Sequence, residues 1–142
     1  MENGFATYDP SQVSVTLGEI LMSGFAEDSM IEAERPEPTY ADVAGADGQV
    51  TRAKTSDKRG TVTIHLMQSS DTNDLLSALH IADEQSNAGV RPLMIKDMSG
   101  TTVLSASHAW IERPAAANFA KGAGERVWVI KCARLEFFVG GN

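Results

Sequence analysis

A chain of 142 residues and 15.2 kDa, 42% hydrophobic and 22% charged, has the size and apolar content of one folded domain and excludes a disordered segment. Its 12 basic and 19 acidic residues leave a net charge of -7, which argues against a continuous basic grip on nucleic acid but not against acidic walls past which nucleic acid slides. The single cysteine, Cys132, excludes an internal disulfide and a cysteine-rich metal site, and the sequence shows neither a secretory signal nor an apolar run of membrane-spanning length.

Residues 1–12 are short, polar and punctuated by Pro10, the pattern of a lead-in arm. Val13, Val15 and Leu17 then alternate with polar neighbours, which predicts a strand that Gly18 interrupts and residues 19–22 continue toward a turn at Ser23-Gly24. Residues 30–35 predict a second strand, closed by Pro36 and Pro38. From 37 to 60 the character changes to a polar excursion with few large apolar residues (Tyr40, Val43, Val50) and a basic group of Arg52, Lys54, Lys58 and Arg59. Ala46-Asp47-Gly48-Gln49 turns at Asp-Gly, so the best local reading is an extended hairpin. An excursion of that length in a small domain is either mobile or committed to a partner.

Residues 60–67 are the cleanest alternation in the chain, with Val62, Ile64 and Leu66 on one face and Thr61, Thr63, His65 and Met67 on the other. A helix follows, with Ser69, Ser70 and Asp71 as N-cap candidates and Leu75, Leu76, Leu79 and Ala82 as its packing stripe. It should end by Asn87 to Gly89, a pair suited to left-handed termination. Strand character returns around Leu93 and Ile95, turns at Ser99-Gly100, and resumes over 101–111 with Val103 and Trp110 as apolar anchors. After a loop at 114–124, residues 125–139 predict one long terminal strand. Within it Trp128, Ile130 and Cys132 share one parity while Leu135, Phe137 and Val139 share the other. Either a bulge or bend near Ala133 switches faces, or both faces are covered, one of them by another subunit. Strands, one helix and more strands in a single domain spanning 1–142 make an α+β fold: an antiparallel β-sandwich or partly open β-barrel with one flanking amphipathic helix.

Chemistry is sparse. His65, His80 and His108 have no metal-ligand spacing, no serine sits in a Gly-x-Ser-x-Gly turn, and Gly122-Ala-Gly124 lacks the helix that completes a phosphate cradle. Nothing near Cys132 in sequence activates a thiol. The residues therefore name no catalytic group, metal site or cofactor. Lys54, Lys58 and Arg59 read either as a docking patch or as a solvated loop.

The order of several pieces resembles the tail-tube proteins of contractile-tailed bacteriophages. Those pieces are Phe5-Ala-Thr-Tyr8-Asp9-Pro10 before residues 13–18, Glu34-Arg-Pro-Glu-Pro38 before the polar excursion, and Gln68-Ser-Ser-Asp71 with Asn73-Asp74-Leu75-Leu76. Trp110-Ile111 and the ending 135–142 complete the set. The resemblance implies a non-enzymatic structural subunit that forms hexameric rings stacked into a hollow tube, with neighbouring sheets joined into an inner barrel. Tail sheath and baseplate proteins are the implied partners, phage DNA passes through the lumen without sequence-specific binding, and no membrane anchor is expected. The implied location is the virion, after assembly in the host cytoplasm. Carried onto this chain, Tyr40, Asp47, Arg52, Lys54, Lys58 and Arg59 become candidate inter-ring contacts, with residues 1–10 and the final residues also reaching neighbours. Val62, Ile64, Leu66, Trp128, Ile130, Leu135 and Phe137 become candidate sheet-core or inter-subunit residues. A baseplate, tail-terminator or secretion-system tube component is the alternative within this architecture, and a small-ligand-binding β-domain the alternative outside it.

Overall fold

The computed structural model describes residues 5–27 and 30–142. A 3-10 turn, Pro10–Gln12, leads into β1 (Val13–Leu17), β2 (Ile20–Leu21), β3 (Ile31–Glu34), β4 (Tyr40–Ala44), β5 (Val50–Lys54) and β6 (Gly60–Met67). Helix α1 (Thr72–Ser86) separates these from β7 (Arg91–Asp97), β8 (Val103–Ile111), β9 (Glu125–Cys132) and β10 (Glu136–Phe138). Residues 1–4, part of the lead-in arm expected to reach neighbours, lie outside the described residues.

Eight strands form one antiparallel sheet in the order β2-β1-β7-β8-β9-β6-β3, with β10 paired to β8 beside that path, while β4 and β5 form a separate two-stranded ribbon. The sheet is open, not a closed barrel, yet it curls until Ile31 and Ala33 of β3 share a cleft with Val13 of β1, Ile95 of β7 and Phe137 of β10. Arg35 fastens that approach. Its Nε donates to the Leu135 carbonyl at 2.8 Å, and its guanidinium stands 5.4 Å from the centre of the Phe137 ring. The enclosed face holds the core, and the periodicity of each strand says which residues enter it. On β6, Val62, Ile64 and Leu66 are fully buried, each stabilising the fold by about 2 kcal/mol relative to exposure.

The expected 125–139 strand is two strands. β9 stops at Cys132 and β10 starts at Glu136, with Ala133 and Arg134 exposed between them. Both pair with β8 in one continuous register, Cys132 opposite Ala109 and Glu136 opposite Ser105, so the interruption faces Ala106–Ala109 of β8. There β8 also reverses: Leu104 and Ala106 are buried before it, Ala109 and Ile111 after it, and Ser107 and His108 point outward. The β7–β8 register shifts at the same level. Two neighbouring strands thus change face together, the kind of corner by which a sheet folds over on itself. Of the two readings of the terminal parities, the face switch holds as far as Phe137: Trp128, Ile130, Cys132 and Leu135 are buried in the chain's own core and Phe137 packs at its edge, but Val139, beyond the end of β10, is exposed.

Other expectations need correction for local reasons. Gly18 does interrupt the strand, but residues 20–21 do not continue onward: with φ 61° it makes with Glu19 a tight turn that lays β2 back antiparallel on β1. Trp110 and Val103 are only half-buried, because the β8 corner turns Trp110 to the outer face. Asp71 occupies the N-cap position but makes no side-chain cap; the Ser70 hydroxyl instead accepts from the Thr72 amide at 3.2 Å. Asn87, with φ 57°, ends the helix as expected. In the stripe of α1 only Leu76 is fully buried, Leu79 and Ala82 are half-buried, and Leu75 is 50% exposed. The buried line runs Thr72, Leu76, Leu79, which leaves Leu75 off the packed face.

Candidate assembly surfaces

Among the described residues no group of three or more His, Cys, Asp or Glu side chains could hold a metal ion, and no helix is long and apolar enough to cross a membrane. Three surfaces stand out instead: the ribbon, the outer face of β3, β6 and β9, and the carboxyl-terminal strap.

Every residue of β4 and β5 is exposed. At the tip Gly48, with φ 86°, permits a turn in which the Gly45 amide donates to the Gln49 carbonyl at 2.8 Å, and the Asp47 carboxylate accepts from the Gln49 amide at 3.1 Å. One face carries Tyr40, Asp42, Ala44, Val50, Arg52 and Lys54, with Arg52 stacked 3.9 Å from the Tyr40 ring centre. The other pairs Ala41 with Ala53 and Val43 with Thr51. At the root, the Arg59 side chain grips Asp57 at 2.9 Å and holds its carboxyl below the usual range, so Arg59 is already neutralised. The Lys58 carbonyl accepts from the Leu135 amide at 2.9 Å. The six candidate contact residues are therefore not one patch: Tyr40, Arg52 and Lys54 share a face, Asp47 is spent on the tip, and Lys58 and Arg59 sit at the root.

On the outer face of the sheet, His65 lies between two acids. Its Nδ1 is 3.1 Å from Glu125 and its Nε2, buried and without a hydrogen bond among the described residues, is 3.9 Å from Glu32. Nearby, Lys131 Nζ donates to the Thr61 hydroxyl at 3.2 Å and pairs with Glu112 at 3.5 Å. Hydrogen bonding by the Arg113 side chain, reinforced by the Lys131 charge, lowers the Glu112 carboxyl below its usual range. This face mixes both signs with hydroxyls, and the candidate residues of β6 and β9 point away from it into the core.

The final residues fold back as a strap. Asn142 Nδ2 donates to Asp97 and Ser99 at 3.2 and 2.9 Å, and the Thr101 amide donates to the Gly141 carbonyl at 3.2 Å. They are tied to their own β7–β8 turn. Arg35 and Asn73, quoted above only as parts of motifs, turn out to have structural roles of their own. The latter accepts from Trp128 Nε1 at 2.9 Å and donates to the Met67 and Ser70 carbonyls, each at 3.0 Å, anchoring the helix entry to β9. An Asn two residues after an N-cap candidate was the signal available.

Residues 10–140 match the family model of the bacteriophage PhiTE tail tube protein. The chain is 31% identical over 145 residues to structural protein ORF10 of Pseudomonas phage KPP10, covering 96% of this chain and 84% of that protein. Among solved structures, it resembles the tube-terminating cap of the anti-feeding prophage, with a TM-score of 0.61, 10% identity, and coverage of 96% of this chain and 95% of that one. It also resembles a chain from the sheath-tube complex of the PVC extracellular contractile injection system, with a TM-score of 0.58, 8% identity, and coverage of 93% and 91%. The likeness to these two structures is one of fold.

Proposed function

The chain belongs to the family of the bacteriophage PhiTE tail tube protein, a family of structural phage components rather than enzymes, and from that premise we propose that it is the repeating subunit of a phage tail tube. Six copies close into a ring, rings stack, and DNA passes along the central channel. The observation that carries this reading is the β4–β5 ribbon, exposed at every residue. A two-stranded ribbon is marginal by itself in water, so one held clear of its own domain is suited to ordering by a neighbour. The open sheet supports ring closure: β2 and β3 end the strand path and leave edges that a neighbouring copy would cover. Closed rotational symmetry then limits growth sideways while stacking allows it lengthwise. The outer face of β3, β6 and β9 is the candidate channel wall, and the charge of -7 suits a surface that DNA slides past. Sheath and baseplate proteins are the partners of such a tube.

Electron microscopy of the purified protein tests the proposal: six-fold rings or tubes with a central channel are expected, and a protein that stays monomeric at high concentration overturns it. Deleting residues 40–58 should leave the domain folded but abolish stacking; unchanged tube formation would remove the ribbon from that role. The likeness to a tube-terminating cap favours one second reading, a terminator. Single rings that bind tube ends without polymerising would select it.

A further inference from the structure

An open groove runs between α1 and the β1–β2 turn. Ile20, Leu75, Ala78, Leu79 and Pro92 contribute its apolar walls, with Glu19 and Arg91 at its rim. Leu75 is half exposed there. Asp71 and Asp74 stand one turn before Leu75 and Ala78, on the side of α1 that continues the groove's helical wall, and both are exposed. An apolar groove bordered by unmatched acids calls for an apolar, basic occupant.

Charge placement along the chain supplies one. Residues 1–34 and 60–90, which build both β1–β2 and α1, contain no lysine or arginine. The segment 37–60 holds four acids (Glu37, Asp42, Asp47, Asp57) and four bases (Arg52, Lys54, Lys58, Arg59), so the whole excess of -7 lies outside it. Among the described residues, Glu19, Asp71 and Asp74 have no ion-pair partner, and neither does Lys54 on the ribbon. Asp42 faces Arg52 across the ribbon, and Asp47 is held by its own turn. The ribbon thus offers basic β5 side chains on one face and, on the other, the small side chains Ala41, Val43 and Ala53 with Thr51. Five-residue strands give it a reach of about 17 Å. Arg91 is the one base at the groove; its stem lies so close to Gly18 that a Cβ there would sit 2.9 Å from Arg91 Cδ, and its Nη1 donates to the Val90 carbonyl at 3.0 Å. That draws its charge toward β7.

We propose that this groove is the receptor for the β4–β5 ribbon of a second copy of the chain. The proposal rests on the stacking role given to the ribbon above and names the surface that receives it. Apolar contact holds the ribbon in the groove, and the acids bordering the groove attract Arg52 and Lys54, which fixes which end of one ring meets the next.

Two experiments on the full-length chain test it. In the first, chains carrying Val43→Cys are mixed with chains carrying Ala78→Cys, assembled, and oxidised. Covalent dimers joining the two kinds of chain are expected in tubes, while native Cys132 is buried and does not contribute. Tubes that form without the 43–78 cross-link overturn the proposal, as does an Ala78→Cys thiol shielded from alkylation only when sheath protein is added. In the second, the pair Glu19→Lys and Asp74→Lys, or the pair Arg52→Glu and Lys54→Glu, should each raise the concentration needed for stacking about tenfold. Combining all four should restore it. Reversals without effect in protein of unchanged circular dichroism, or a combined variant no better than either pair, overturn the proposal while leaving the tube reading standing. A wild-type protein that forms neither rings nor tubes removes both.

Discussion

Leu135 is the residue on which the sheet's corner depends. It is fully buried, follows two exposed residues, and fills the space that Gly60 leaves open, since a Cβ at Gly60 would overlap its side chain. Leu135→Ala should cost about 2–5 kcal/mol, read as a lower denaturation midpoint, because a rigid corner collapses poorly onto a cavity. A loss below 1 kcal/mol would mean that the corner is held by its backbone alone. Cys132, on the other side of the corner, is buried, and burial pushes its thiol up from 9.0 to about 11. A raised thiol favours the neutral folded form, so the stability it contributes is complete below the ordinary value and is lost as pH rises toward about 11. Alkylation of the native protein at neutral pH should therefore proceed only as fast as global unfolding; rapid labelling would show that the corner opens locally.

At the scale of elements, α1 is joined to the sheet more by polar ties than by its apolar stripe. Only Leu76 of the helix is buried apolar, whereas Thr72 is buried with its hydroxyl accepting from the Ser23 amide at 3.1 Å, and Asn73 links Trp128 to the β6–α1 turn. Asn73→Ala should destabilise the fold by about 1–3 kcal/mol, since it strands the Trp128 indole N–H, and should change the Trp128 fluorescence. An unaltered midpoint would show that the helix docks through Leu76 alone. The ribbon is the opposite case, an element with internal pairing and no burial. Its sequence reading as a hairpin succeeded because Asp47-Gly48 is a local signal, complete within four residues.

For the whole molecule, a chain with a net charge of -7 and no continuous basic surface should not bind DNA as a free subunit. Gel retardation of duplex DNA at about 0.15 M salt should show no shift at micromolar protein. A shift would contradict a channel that DNA passes without gripping.

Much of this architecture was legible in the residues, above all where the pattern is local. Alternation in 60–67 placed β6 and its three core side chains, Asn87 marked the helix end, and the two parities of 125–139 required either a face switch or a second cover. The order of short motifs also pointed to the family. Tertiary structure alone decided between those two options, because a corner forms only if the neighbouring strand turns at the same level, and the reversal in β8 at Ser107-His108 is silent until β8 and β9 are paired. The same holds for Trp110 on the outer face, for Arg35 clamping β10, and for the apolar groove beside Leu75. Each depends on which segments, distant in the chain, come to lie side by side, and hydrophobic period records only which way a residue faces within its own element.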